Sequence, residues 1–352
     1  MNYEMKKTCL LLLLLVSIIY INEGYRIISE GMLVKSTDKG SLSDIAEEVI
    51  AVPLETKSDC RLKYATQIKR DRNELFLVSD GQLYHFDCSG KFINRITSNQ
   101  HFPVADYVID PLEKQLIVMD NKENVYYYDY DGALLERKSL AGINPLKAPT
   151  RLMYYDRHIW ITAQALSPSK EDANKQCMDQ WLYKFDTTLN LQDARKLTAA
   201  DLGRFYLGAC FSTELSVADG NVYAYSPSTQ PDELLADTLY LISRNQLNIH
   251  DEYSSILPLC IAGRYLVSTY SNAADEEQNY TFCYDRREEY AYNVTGGFED
   301  NFYHTGRVPD LQALDVYNSS FCYCRSGEEV KNAFPDRTEE DNPVLFIVRM
   351  KA

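Results

Sequence analysis

The side chains whose types could do chemistry in this sequence are scattered, not gathered into a motif. Tyr303, His304 and Arg307 share one stretch with Phe298 and Phe302. Arg204 and Tyr206 flank Phe205 in another, and Arg151 and Glu214 stand near the beginnings of apolar runs. Aromatic faces stack on sugar rings and an arginine fork grips a carboxylate bidentately, so these residue types together suit a glycan or an anionic peptide. The competing reading is that the aromatic rings cover packed sheets. An enzyme acting on polysaccharide, a hydrolase or lyase, would draw its acid and base from His304, Arg307, Arg151 and Glu214. It would need two of them within about 6 Å in one pocket.

Recognisable catalytic motifs are missing. The histidines are His85, His101, His158, His250 and His304, and no His-Glu-x-x-His, Gly-x-Ser-x-Gly or glycine-rich phosphate loop occurs. His85 falls on a strand and reads as structural. The acidic runs Asp275-Glu276-Glu277 and Glu339-Glu340-Asp341 lack the alternating spacing of a calcium loop and read as solvated tips. No catalytic set, metal site or cofactor is therefore expected.

The elements that must position these residues are announced by a recurring phrase. Glu74–Asp87 reads ELFLVSDGQLYHFD and Gln115–Asp129 reads QLIVMDNKENVYYYD, each an apolar strand, a polar turn and an aromatic-rich strand. Six such units follow one another from about Tyr64, and the run Glu48–Leu54 is left over as a spare strand. The last unit lacks a fourth strand, which the spare one can supply. The expected fold is all-β, a six-bladed β-propeller closed by an N-terminal strand that completes the last blade. Closure removes the sheet edges that invite aggregation.

That architecture sorts the loops. Connections between the second and third strands of a blade open on the same face as those leading to the next blade. The long polar segments Leu166–Met178, Pro227–Asp237, Asn272–Gln278 and Ser326–Asn342 are of the first kind, and Thr198–Phe211 and Gly296–Leu311 of the second. Long loops on a rigid scaffold are where function usually sits. The first strands begin near Gln67, Tyr107, Arg151, Glu214 and Gln312, a mixed polar ring at the channel mouth. It is either a small-ligand site or the hydrated channel of any propeller.

The chain has 352 residues and a formal net charge of −15, which disfavours nucleic acid as a partner. Lys6 and Lys7 precede the apolar run Cys9–Ile21, the pattern of a secretory signal and short for a membrane span. Residues 1–24 are read as a signal peptide or N-terminal anchor, 25–45 as a linker and 46–352 as the propeller. Membrane contact is expected only through the N-terminal segment. Past that segment, eight cysteines without a Cys-x-x-Cys pair read as buried thiols in preference to a disulfide framework.

The segments VIAVPLETKSDC, ELFLVSDGQLYHFDCSGKFINRI, VYYYDYDGALL and EEDNPVLFIVRMK resemble the NHL-like six-bladed β-propeller family of Bacteroidetes, from about Ala46 to Lys351. The resemblance implies an exported protein, often lipid-anchored, in a family whose members mostly have no assigned activity. Two features depart from it. Ser98–Pro103 stands where relatives often carry a Gly-Pro-Gly-Glu-like loop, and no cysteine follows the apolar run as a lipid anchor requires. The expected role is a non-catalytic binding module in the periplasm or outer cell envelope, taking a glycan, peptide or protein partner. The polysaccharide-active enzyme is the alternative.

Overall fold

The structure, a computed structural model, describes residues 36–37, 40–97, 102–143, 148–168, 176–202, 213–218, 221–226, 235–241, 246–251, 253–256, 260–262, 264–272, 275–285, 287–288, 290–315 and 320–351. The N-terminal apolar run, and with it the expected signal or anchor, lies outside the described residues.

Among the described residues, five four-stranded antiparallel sheets and one larger sheet follow each other along the chain. Blade 1 is Thr66–Asp71, Glu74–Ser79, Gln82–Asp87 and Phe92–Arg95. Blade 2 is Val104–Asp110, Gln115–Asp120, Asn124–Asp129 and Leu134–Ser139, and blade 3 is Pro149–Tyr155, His158–Pro168, Gln176–Asp186 and Leu191–Leu202. Blade 4 runs from Glu214–Ala218 to Gln246–Asp251, and blade 5 from Cys260–Ala262 to Tyr290–Thr295. Blade 6 takes Gln312–Asp315, Ser320–Arg325 and Val344–Met350 from the end of the chain and Ala46–Pro53 from its beginning. In that seam Val49 lies opposite Val348 and Ala51 opposite Phe346. The first strands touch one another in the order of blades 1 to 6 and back to 1, which closes the ring.

The recurring phrase has a local cause. Its third strand ends in an aspartate that accepts the backbone N–H groups of the turn that follows. Asp87 Oδ1 takes Ser89 N at 2.8 Å and Lys91 N at 3.0 Å, and Asp186 Oδ1 takes Thr188 N and Asn190 N, each at 2.9 Å. Asp129 and Asp285 do the same in blades 2 and 5. A short acceptor here stops the strand and reverses the chain. Between blades the core is aliphatic and aromatic, as where Leu75, Leu77, Phe86, Leu345 and Ile347 meet between blades 1 and 6.

Several expected loops turn out to be strand. Blade 3's second and third strands continue as a hairpin in which Leu166 pairs with Met178 and Pro168 with Gln176, so part of the expected insertion is ladder. Its fourth strand extends to Leu202, and blade 5's third strand starts at Asp275. Pairing satisfies backbone groups that a loop would leave to water. The expected linker is likewise docked near its end. Ser36–Thr37 adds in parallel to blade 5, and Leu42 and Ile45 are fully buried between blades 5 and 6. Cys60, Cys283 and Cys322 are buried and in no disulfide among the described residues, and burial pushes the Cys283 pKa up to about 12. Cys88 is exposed.

Candidate functional site

A cavity of about 720 Å³ occupies the ring's axis and is lined by the innermost strands of blades 1 to 4 and 6, with Thr269 from blade 5. Its upper wall is shaped by irregularities at the same place in three successive blades. The first strand shifts register between Thr66 and Lys69, between Val104 and Asp106, and between Pro149 and Arg151. Such bulges re-aim side chains. They leave Lys69, Asp106 and Arg151 on the cavity wall.

These residues tie the blades to one another. Asp106 is buried, with Oδ1 2.8 Å from its neighbour Tyr107 N and 3.2 Å from Lys69 Nζ, while Oδ2 accepts Leu152 N of blade 3 at 2.7 Å. Lys69 also donates to the Tyr107 carbonyl and lies over the Tyr107 ring. Arg151 donates through Nε to Glu214 Oε1 of blade 4 at 3.0 Å. Burial works against the Arg151 charge, but the Glu214 and Asp106 carboxylates outweigh it and raise the guanidinium pKa. On the blade 6 side, Arg325 pairs with Asp310 at 3.2 Å, and Thr269 donates to the Pro309 carbonyl at 2.8 Å.

The residues expected at the mouth divide. Gln67, Arg151, Glu214 and Gln312 line the cavity. Tyr107 does not: its side chain is fully buried, with its hydroxyl 2.7 Å from the Gln67 carbonyl and 2.8 Å from that of Phe76. The bulge ahead of Asp106 turns Asp106 inward and Tyr107 into the packing between blades. Burial, then the neighbouring Asp106 charge, pushes the Tyr107 phenol well above its ordinary pKa, so it stays neutral.

The Phe298–Arg307 stretch is not a free binding loop. Phe298–Glu299 and Arg307–Val308 form a two-stranded ribbon over the seam between blades 5 and 6. The partly buried Tyr303 ring stacks on Phe334 at 6.4 Å and meets Phe346 edge-on at 5.2 Å, so part of it belongs to the packing. Arg307 Nη1 donates to the carbonyls of Thr295 at 2.7 Å and Gly297 at 3.1 Å, a structural use of its charge. His304 is exposed at a left-handed turn (φ 56°). Neither His304 nor Arg307 lines the cavity. Arg204 and Tyr206 lie outside the described residues. Of the enzyme candidates, the structure therefore brings together Arg151 and Glu214 alone. Sequence reasoning missed Lys69 and Asp106 on the wall because bulges hide them from simple alternation, and Asp310 because it lies in the connection ahead of Gln312–Asp315, outside any strand.

A family model described as 6-bladed beta-propeller matches residues 22–308. The chain belongs to that family. Among solved structures, the propeller is similar to a Bacteroides fragilis NCTC 9343 protein inferred to be exported, with a TM-score of 0.61 at 17% identity over 90% of this chain and 98% of that one. It also resembles the β-propeller domain of Myceliophteria thermophila Cps50 (Swd1), with a TM-score of 0.45 at 10% identity over 84% of this chain and 99% of that one. No curated protein is similar to it in sequence.

Proposed function

We propose that this propeller is an exported, non-catalytic binding module of the cell envelope, engaging a glycan, peptide or protein partner on its long-loop face around the channel mouth. The observation that carries this reading is the cavity wall itself. Its charged groups are fixed in advance by contacts between blades, and such pre-organisation lowers the cost of binding. The similar Bacteroides fragilis protein and the basic, then apolar N-terminus support export. Residues 326–343 add substance to the face without being loose. Asn342 and Arg337 tie that segment to the connection entering blade 1.

A second reading, a polysaccharide hydrolase or lyase, is favoured by one observation: Arg151 and Glu214 lie 3.0 Å apart in one cavity. A glycosidase needs a second carboxyl group as proton donor. The nearby Asp106 is occupied by Lys69, Tyr107 N and Leu152 N, so the geometry supports binding better than hydrolysis.

The test is a glycan and peptide array probed with purified protein, followed by incubation of every captured glycan with the protein. Reversible capture with no new reducing ends or unsaturated products is the expected result. Product formation that stops in Glu214→Gln would establish the enzyme instead, and no capture of any array member overturns both.

A further inference from the structure

The Arg151 guanidinium is engaged on one side only. Its Nε donates to Glu214, while Nη1 and Nη2 have no hydrogen-bond partner among the described residues, although Arg151 lines the cavity. An arginine anchored through Nε presents its two terminal nitrogens as a planar fork, the geometry that matches a carboxylate. One other polar group on the same wall is unused: the Gln312 side-chain amide has no partner among the described residues. Leu152, Leu311 and Leu314 supply apolar wall around them. The volume, about 720 Å³, falls within the roughly 300–1,000 Å³ typical of small-molecule sites.

Resting on the binding-module reading and narrowing it, we propose that the central cavity binds a small carboxylate that also carries a hydrogen-bonding group, with the carboxylate on the Arg151 fork and that group on the Gln312 amide. A monoanion fits better than a phosphate ester. The wall's four cations, Lys69, Arg70, Arg72 and Arg151, face Asp71, Asp106 and Glu214, while the fourth carboxylate, Asp310, is paired with Arg325 from outside the lining. One positive charge is left over, which a monoanion neutralises and a dianion exceeds. Two sources offer the required chemistry, a sugar acid and the carboxyl end of a short peptide.

Isothermal titration of the full chain with glucuronate, glucose, glucose phosphate and an N-acetylated dipeptide separates these cases. Glucuronate or the dipeptide binds at least about tenfold tighter than glucose or glucose phosphate, as expected for one bidentate charge-assisted contact, and whichever is tighter names the source. Arg151→Lys keeps a cation beside Glu214, so the melting temperature holds while affinity falls about tenfold. Gln312→Ala weakens binding without altering the melting temperature. The proposal is overturned if glucose or glucose phosphate binds as tightly as the carboxylates, if Arg151→Lys binds unchanged, or if no carboxylate binds. Should no carboxylate bind while array capture survives in Arg151→Lys, this inference fails and the binding-module reading stands. Loss of both sinks both.

Discussion

Asn342 Oδ1 accepts the Leu62 N–H at 2.7 Å across 280 positions of chain. Its amide nitrogen donates to the carbonyls of Glu55 at 2.7 Å and Cys60 at 2.8 Å. One buried side chain thus fastens the connection between the closing strand and blade 1 to the long segment that precedes Val344. Arg337 reinforces it by donating to the Leu54 carbonyl at 3.1 Å.

Asn342→Ala leaves the buried Leu62 N–H without its acceptor and takes a donor from the Glu55 and Cys60 carbonyls. The expected loss is about 2–4 kcal/mol, read as a lower urea midpoint with an unchanged slope. An unchanged midpoint would mean that water replaces the amide at no cost.

The closing strand offers a contrast between neighbours. Val49 is 5% exposed and faces the core, whereas Ile50 is 39% exposed. Val49→Asp should cost about 3 kcal/mol or more by burying a charge, and Ile50→Asp should stay within about 0.5 kcal/mol. Equal effects in urea titrations would show that the strand is not seated in this register.

Tyr303→Ala should lower stability by roughly 1–3 kcal/mol, since the ring is partly buried against Phe334 and Phe346. It should leave capture on the array unchanged per folded molecule. Loss of capture with an unchanged melting temperature would restore Tyr303 to the binding face.

Acid should weaken the fold through Asp87, Asp186 and Asp285 at the ends of their strands, whose carboxyls are held below the ordinary range by the turn donors. At Asp186, partial burial raises the pKa, but the backbone N–H and side-chain amide of Asn190 and the donors of Thr188 outweigh it and lower the value from 3.8 to about 2. A depressed folded pKa contributes stability above the unfolded pKa and loses it as pH falls through the folded one. The melting temperature should therefore drop between about pH 4 and pH 2. Asp186→Asn should flatten part of that drop, and identical pH profiles for the two proteins would refute the assignment.

The fold was legible because each blade repeats the same instruction. Paired strands separated by tight turns, with the third strands of blades 1, 2, 3 and 5 ending in Asp87, Asp129, Asp186 and Asp285, define the sheets, and the unmatched strand around Val49 implies its partner around Val348. The site was only partly legible. Alternation along a strand assumes an unbroken pleat, and the register shift before Asp106 breaks it, exchanging the expected roles of Asp106 and Tyr107. Tyr303 and Arg307 read as loop residues because the contacts that fold their ribbon come from far along the chain. Ser43 N reaches Asn301 Oδ1 at 3.2 Å, and Glu299 N reaches the Gly40 carbonyl at 2.7 Å.

Pairing Ala46–Pro53 with Val344–Met350 also imposes an order of events during synthesis. The earliest blade strand to leave the ribosome is the last to find its neighbour, so five sheets can assemble while the circle stays open. A chain threaded outward from its N-terminus would carry that unmatched ribbon through the whole journey. Emergence of Val344–Met350, more than any single contact, then sets the moment at which the ring locks.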